Sequence, residues 1–237
     1  TDLNKRRQLL RKAVETSEEA LKKALNSGFE ANVAYAHGIF RWTLRLLAET
    51  EEDPEEQKSI LERALLEANE TVKLLEQVET RSYWDRGVNQ VERGWVKYDL
   101  AILEKDSEKK KSMLQDAVLD VEAALKLLSA GLVIAREEAP PSLLAVVARW
   151  TSFAGDVFDR LYKLTIDREY LKKAATAFAG AAETFGQIDL KNRVAECLWK
   201  AARVYDDSGE YLKAAQNFDL ASDNYNNAAE KVPQLNE

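Results

Sequence analysis

Cysteine, histidine and methionine each occur once in the 237 residues, with only four prolines and nine glycines. A lone cysteine, Cys197, rules out an intramolecular disulfide framework and suits a reducing compartment, so a cytoplasmic location is expected. A lone histidine, His37, leaves no second imidazole for a histidine-based metal cluster or a His relay. His37 reads as a packed or exposed helix residue and Cys197 as a buried small hydrophobe. There is no Gly-rich phosphate loop, no Gly-x-Ser-x-Gly elbow and no Cys-x-x-Cys pair. The carboxylate pairs Glu51/Glu52 and Glu137/Glu138 fall at expected helix ends. These absences predict a protein that is not an enzyme and uses no cofactor or metal.

Scarce glycine and proline also remove the turn signals of a β-rich fold. No apolar run approaches the roughly 20 residues that span a bilayer; the candidates near 130–135 and 143–148 are separated by Arg136, Glu137 and Glu138. The formal net charge of −7 argues against nonspecific binding to nucleic acid phosphates. The one lysine cluster, Lys109-Lys110-Lys111 with Lys105, is broken by Glu104, Asp106 and Glu108 and reads as a helix start.

What the chain has in abundance is Ala, Leu, Glu and Lys, all helix formers. Breaks at Asn26-Ser27-Gly28, Glu52-Asp53-Pro54, Asp106-Ser107, Ala139–Ser142, Asp167-Arg168, Gly186–Asp189 and Ser208-Gly209 delimit an all-α chain of about nine helices. Asp53 can cap a helix, Pro54 needs no N–H in the first turn, and Glu56 can reach back in a capping box. Gly28 tolerates the left-handed conformation that ends helices.

The helices alternate in kind. One kind carries a recurring small-residue core: Ala13, Ser17 and Ala20; Ala64, Ala68 and Thr71; Ala117, Val121 and Ala124; Ala174, Phe178 and Ala181; Ala214, Phe218 and Ala221. Their leading alanines are 51, 53, 57 and 40 residues apart, an uneven period. The other kind, expected at about 29–50, 80–104, 142–165 and 189–207, holds all five tryptophans. Near residue 90, Trp84, Val88, Val91, Trp95, Tyr98 and Ile102 recur at steps of four and three, which places them on one face and predicts that most of the aromatics are core.

The spacing Leu198-x3-Ala202-x2-Tyr205-x8-Ala214-x3-Phe218-x2-Ala221, with Gly209-Glu210-Tyr211 at the turn, resembles the tetratricopeptide repeat, a helix–turn–helix of roughly 34 residues. Glu210-Tyr211-Leu212-Lys213-Ala214-Ala215 nearly repeats Glu169-Tyr170-Leu171-Lys172-Lys173-Ala174-Ala175, and these two units are similar to those of the soluble NSF attachment proteins. The resemblance covers residues 140–231 clearly and 1–139 through pattern alone, and implies one domain over 1–237. It implies a right-handed superhelical stack of antiparallel helix pairs, an α-solenoid, whose first helices line a concave groove that holds other proteins.

The charges on those first helices then become candidates. One stripe is His37, Arg41 and Arg45; a second is Arg86, Asn89, Arg93 and Lys97; a third is Arg149, Phe153, Asp156, Arg160 and Lys163; a fourth is Trp199, Lys200, Arg203 and Asp206. Nine of the 15 arginines but only four of the 19 lysines lie on these four helices, which matters because the planar arginine fork suits carboxylate or phosphate recognition. The expected groove residues are Arg41, Arg45, Arg86, Asn89, Arg93, Lys97, Arg149, Phe153, Arg160, Trp199, Arg203 and Asp206, and the expected partner is an acidic protein or peptide segment. The alternative reading pairs these arginines with Asp85, Glu92, Asp99, Asp156 and Asp159 as solvated surface charges.

Two other functions fit the same chain. It begins at Thr1 and ends in the polar Lys231-Val232-Pro233-Gln234, so it reads equally as a regulatory or structural segment packing on a neighbouring domain of a longer protein. An all-α sensor or enzyme with a pocket between helices is the other. Repeat stacks also self-associate unless a polar helix caps their apolar end, and Asp223–Asn227 is the expected cap.

Overall fold

The computed structural model describes residues 2–77, 83–134 and 140–230, the side chains of 132–134 and 230 aside; the expected Glu137/Glu138 pair and the polar ending at Lys231 lie outside them. Nine helices and no strands are found among the described residues: α1 (Leu3–Ser27), α2 (Glu30–Ala48), α3 (Pro54–Gln77), α4 (Tyr83–Leu103), α5 (Ser107–Ile134), α6 (Pro141–Thr165), α7 (Arg168–Gln187), α8 (Lys191–Asp207) and α9 (Tyr211–Glu230). The chain is all-α, as its composition requires.

The helix ends follow local chemistry. Gly28 closes α1 at φ 72°, in the left-handed region where a side chain would be strained. Asp53 caps α3 by accepting the Glu55 N–H at 2.9 Å. Glu56 pairs with Arg11 at 3.6 Å. Asp106 caps α5 by accepting the Lys109 N–H at 2.8 Å, so the lysine cluster does open a helix.

The chain divides into two compact units, Thr1–Gly131 and Leu132–Glu237. In the N-terminal unit successive helices run antiparallel and pack on their chain neighbours. Ser17 and Thr43 share a buried hydrogen bond of 2.8 Å between α1 and α2, and His37 Nδ1 lies 2.5 Å from Glu67 Oε2 between α2 and α3. One core cluster joins Val14 and Leu21 to Phe40, Leu44, Leu61, Ala64, Val96 and Leu100. On α4, Gly87 and Gly94 face α5 so closely that a Cβ would meet Leu128 Cγ at 2.8 Å and the Ala117 carbonyl oxygen at 3.1 Å. In the C-terminal unit, Gly155 of α6 lies under the buried Phe178 ring of α7. A second cluster gathers Ala148, Ala181, Phe185, Val194 and Cys197.

Three expectations need correction. On α1 the packed positions are Val14, Ser17 and Leu21, whereas Ala20 is exposed. That terminal helix has one chain neighbour, α2, and is seated by its large apolar side chains, so the small residues do not set its register. The tryptophans are not mostly core: Trp150 is 3% exposed, but Trp42 is 51% and Trp199 43% exposed. Glycines 87 and 94, not the Trp84–Trp95 row, form the closest face of α4, because helix backbones approach most nearly where no side chain intervenes. Finally, α9 is not an unbroken polar cap, since Tyr211, Leu212, Phe218, Leu220 and Tyr225 are all exposed on it.

Gly155 is the sharpest test of this packing. A Cβ there would stand 2.6 Å from Phe178 Cε1. Overpacking costs about 1–3 kcal/mol and alanine regains about 1 kcal/mol of helix propensity. Because the contact is with a buried ring, the cost sits at the upper end, and Gly155→Ala is expected to lower stability by about 2 kcal/mol in urea unfolding, with Phe178→Leu in the same chain recovering part of the loss. A neutral or stabilising Gly155→Ala would show that the ring is free to move.

Candidate functional site

The even-numbered helices α2, α4, α6 and α8 carry the expected groove residues, and burial sorts those residues into two groups. Those of the N-terminal unit largely face one another. Arg41 and Arg45 of α2 are buried and turned toward α4. Arg45 is fully engaged: its Nε donates to Asp99 at 2.8 Å, its Nη2 reaches Glu49 at 3.0 Å, and its guanidinium lies 3.8 Å from the centre of the Trp95 ring. Arg41, one turn earlier, has only a 3.4 Å hydrogen bond to Asn89 Oδ1 and a 3.7 Å contact with Glu92. Its Nε and Glu92 Oε2 are buried with no hydrogen-bond partner.

Arg93 and Lys97 of α4 converge instead on Asp120 of α5, a carboxylate only 3% exposed. Arg93 donates through Nε at 3.0 Å and Nη2 at 2.5 Å, Lys97 Nζ at 2.7 Å and Gln90 Nε2 at 2.8 Å. Asn89 donates its amide N–H to the Asp85 carbonyl at 2.8 Å. Arg86 is half-buried beside Leu75, Glu76 and Leu127. The partners Glu92 and Asp99 are those the alternative reading named, but the pairs are buried between helices, not solvated. Spacing along one helix reveals a shared face, but no sequence signal revealed Asp120, which lies 27 residues from Arg93.

The C-terminal unit differs. Arg149, Arg160, Trp199, Arg203 and Asp206 are exposed, and Phe153 is buried against Trp150 in an edge-to-face contact of 6.4 Å between ring centres. Lys200 of α8 bridges to Asp156 of α6 at 2.9 Å, which sets the two stripes side by side. Arg203 lies 5.0 Å from the centre of the Trp199 ring. Cys197 is buried, and burial pushes its thiol up, away from thiolate reactivity. Among the described residues no group of three His, Cys, Asp or Glu is arranged to hold a metal, and no helix is long and apolar enough to cross a membrane.

The N-terminal unit also holds a pocket of about 290 Å³ between α2 and α4, closed at one side by Leu75 of α3. Tyr35, Ile39, Trp42, Trp84 and Val88 form its apolar walls, and Arg41, Asn89 and Asp85 its polar lining. Spacing put Arg41 and Asn89 on the charged stripes of their own helices but took the two tryptophans for core.

No protein-family model matches the chain, and no curated protein matches it. Solved structures do. BtubC (BKLC) from P. vanneervenii matches with a TM-score of 0.58 at 15% identity, covering 92% of this chain and 74% of that one. The de novo designed helical repeat protein DHR64 matches over 97% of this chain and 98% of its own, at 17% identity and a TM-score of 0.43. At 15% identity the likeness to BtubC is one of fold, and the architecture is all-α, with nine helices among the described residues.

Asp99 supplies a test of the buried seam. Burial raises its carboxyl from 3.8 to about 6, with Arg45 only partly opposing the rise. Ionisation is thus disfavoured in the folded chain relative to the unfolded one, so its contribution to stability falls as pH rises from 3.8 through about 6 and is constant above that. The stability of Asp99→Asn relative to wild type is expected to rise across this window in denaturant titrations. A pH-independent difference would show that Asp99 titrates like an exposed carboxylate.

Proposed function

We propose that the chain is a tetratricopeptide-like interaction scaffold that binds an acidic peptide or protein segment on the α6–α8 face of its C-terminal unit, without catalysis and without cofactor. The observation that carries this reading is the exposure of Trp199 on α8, 43% open to solvent. A large aromatic left about half in water is an unsatisfied apolar surface, and tryptophan with arginine is the residue pair most enriched at binding hot spots. On α8, Arg203 beside Trp199, with Arg160 exposed on α6, supplies positive charge for an acidic segment. Arg93, Lys97 and Arg45 are excluded from that role because buried carboxylates already hold them. The helical-repeat fold supports a scaffold, and the single buried cysteine is in keeping with a cytoplasmic one.

Selecting binders from a random peptide display library tests the reading. The expected outcome is acidic peptides with apolar anchors, whose affinity drops about tenfold or more in Trp199→Ala/Arg203→Glu, with thermal stability unchanged because both side chains are exposed. Failure to select peptides, or equal binding by the variant, would remove the α6–α8 surface from consideration.

A second reading, self-association, is favoured by one observation. Tyr211, Leu212, Phe218, Leu220 and Tyr225 leave α9 with exposed apolar surface that another copy could cover. Sedimentation should then show a dimer that Leu212→Glu/Leu220→Glu converts to monomer; a monomer at all concentrations would exclude it.

A further inference from the structure

The pocket between α2 and α4 is not explained by peptide capture on α6 and α8, and its lining is unusual. Arg41 is 5% exposed, yet it lines the cavity and its Nε has no acceptor. A buried guanidinium short of acceptors carries a desolvation cost that its surroundings have not offset. Its neighbour Arg45, in the same seam, has two carboxylates within 3.0 Å and a tryptophan face. Of the two arginines only the one lining the cavity has this deficit, which it shares with Glu92 Oε2 at 3.7 Å. The walls around it are flat and apolar, with Trp42 and Tyr35 exposed at the mouth and Trp84 and Val88 opposite.

We infer that this pocket is a binding site for a monocarboxylate borne on a flat apolar body, with Arg41 as the anchoring donor and Trp42 and Trp84 as the walls. A carboxylate accepts charge-assisted hydrogen bonds from the guanidinium, which are stronger than the 3.4 Å bond to the neutral Asn89 amide. An aromatic or aliphatic body replaces water against the indole rings. The volume of about 290 Å³ sits near the lower end of small-ligand sites, roughly 300–1,000 Å³, so the ligand is small. Two acidic groups bear on the charge limit. Glu92 already contacts Arg41 at 3.7 Å, and Asp85 lines the pocket while engaged in an interaction of its own. Two carboxylates near one guanidinium already offset its charge, so each added negative charge is resisted, which disfavours dicarboxylates and phosphate esters far more than a monocarboxylate. The same chemistry is presented by a free arylalkanoic acid and by a peptide chain ending in an aromatic residue. The site stands independently of the α6–α8 surface.

The test titrates the full 1–237 chain with 3-phenylpropionate, following Trp42 and Trp84 indole N–H signals by NMR. In parallel it uses 3-phenylpropionamide, phenyl phosphate, benzylammonium, and a blocked tripeptide ending in phenylalanine with either a free carboxylate or an amide. Saturable shifts with the carboxylates, at least about tenfold weaker with the amides and phenyl phosphate, are expected. The tighter of the two carboxylates identifies the natural source. Arg41→Gln should remove the preference of acid over amide. Because that variant exposes Glu92 to imbalance and can fail to fold, Trp42→Ala, at an exposed position, is measured too and should weaken both carboxylates about tenfold. Equal binding of acid and amide, stronger binding of benzylammonium, or no saturable shift would each overturn the assignment. Loss of peptide selection in Trp199→Ala/Arg203→Glu would leave it untouched, so the two readings fail separately.

Discussion

Asp120 is a carboxylate removed from water and surrounded by donors, and the N-terminal unit depends on it. Gln90, Arg93 and Lys97, spaced along α4 at three and four residues, all reach it from one face. A charge buried this deeply is tolerable only because each of its lone-pair directions finds a donor. Removing it would strand two cations beside the Gly94 contact, where a Cβ would already meet the Ala117 carbonyl oxygen and Val121 Cγ2 at 3.1 Å and so leaves little room to rearrange. Charge and close packing therefore fix the same pair of helices, one by direction and the other by distance.

This interaction also decides which cations remain available. Arginines on the first helices look equivalent in sequence because spacing alone puts them on one face. In the structure they divide by whether a carboxylate from another helix meets them. Arg93 and Lys97 are met by α5 and Arg45 by α4, so their charge is spent within the unit. Arg203 lies against the Trp199 face and keeps its charge at the surface. A buried ion pair gives orientation to a seam more readily than it gives net stability, which fits helices that must sit in one register on their neighbours.

Much of the architecture was legible from short-range chemistry. The helix bounds follow from Gly28, the Asp53-Pro54 start and the Asp106 cap, each acting within a few residues. The small-residue rows of α3, α5 and α7 were legible for the same reason, because Ala64, Ala68, Ala117, Ala124, Ala174 and Ala181 are fully buried where helices touch. On α1 and α9 the rule weakens. Ala20 is exposed on α1 and Phe218 is exposed on α9, where the packed positions are instead Val14, Ser17 and Leu21, and Ala214 and Ala221. The exposure of Trp42 and Trp199 was illegible for a deeper reason. A row of aromatics at steps of three and four defines a face but not what lies opposite it, and opposite Trp42 there is a cavity.

The cavity shows how one seam can serve two purposes. Arg41 and Arg45 are successive turns of α2, and Glu92 and Asp99 are nearly two turns apart on α4, so the two pairs cannot be matched equally well. The Arg45 pair closes at 2.8 Å while the Arg41 pair stands at 3.7 Å. Gly38 contributes to the gap, since a Cβ there would come within 3.3 Å of Asn89 Oδ1 and narrow the pocket from the α2 side. The well-matched pair holds the helices, and that rigidity is what allows the mismatched one to persist instead of collapsing onto its carboxylate. A binding site built this way needs no loop and no motif. It needs one good contact to hold open the place where the next contact is incomplete, and neither half of that arrangement is written in the spacing of a single helix.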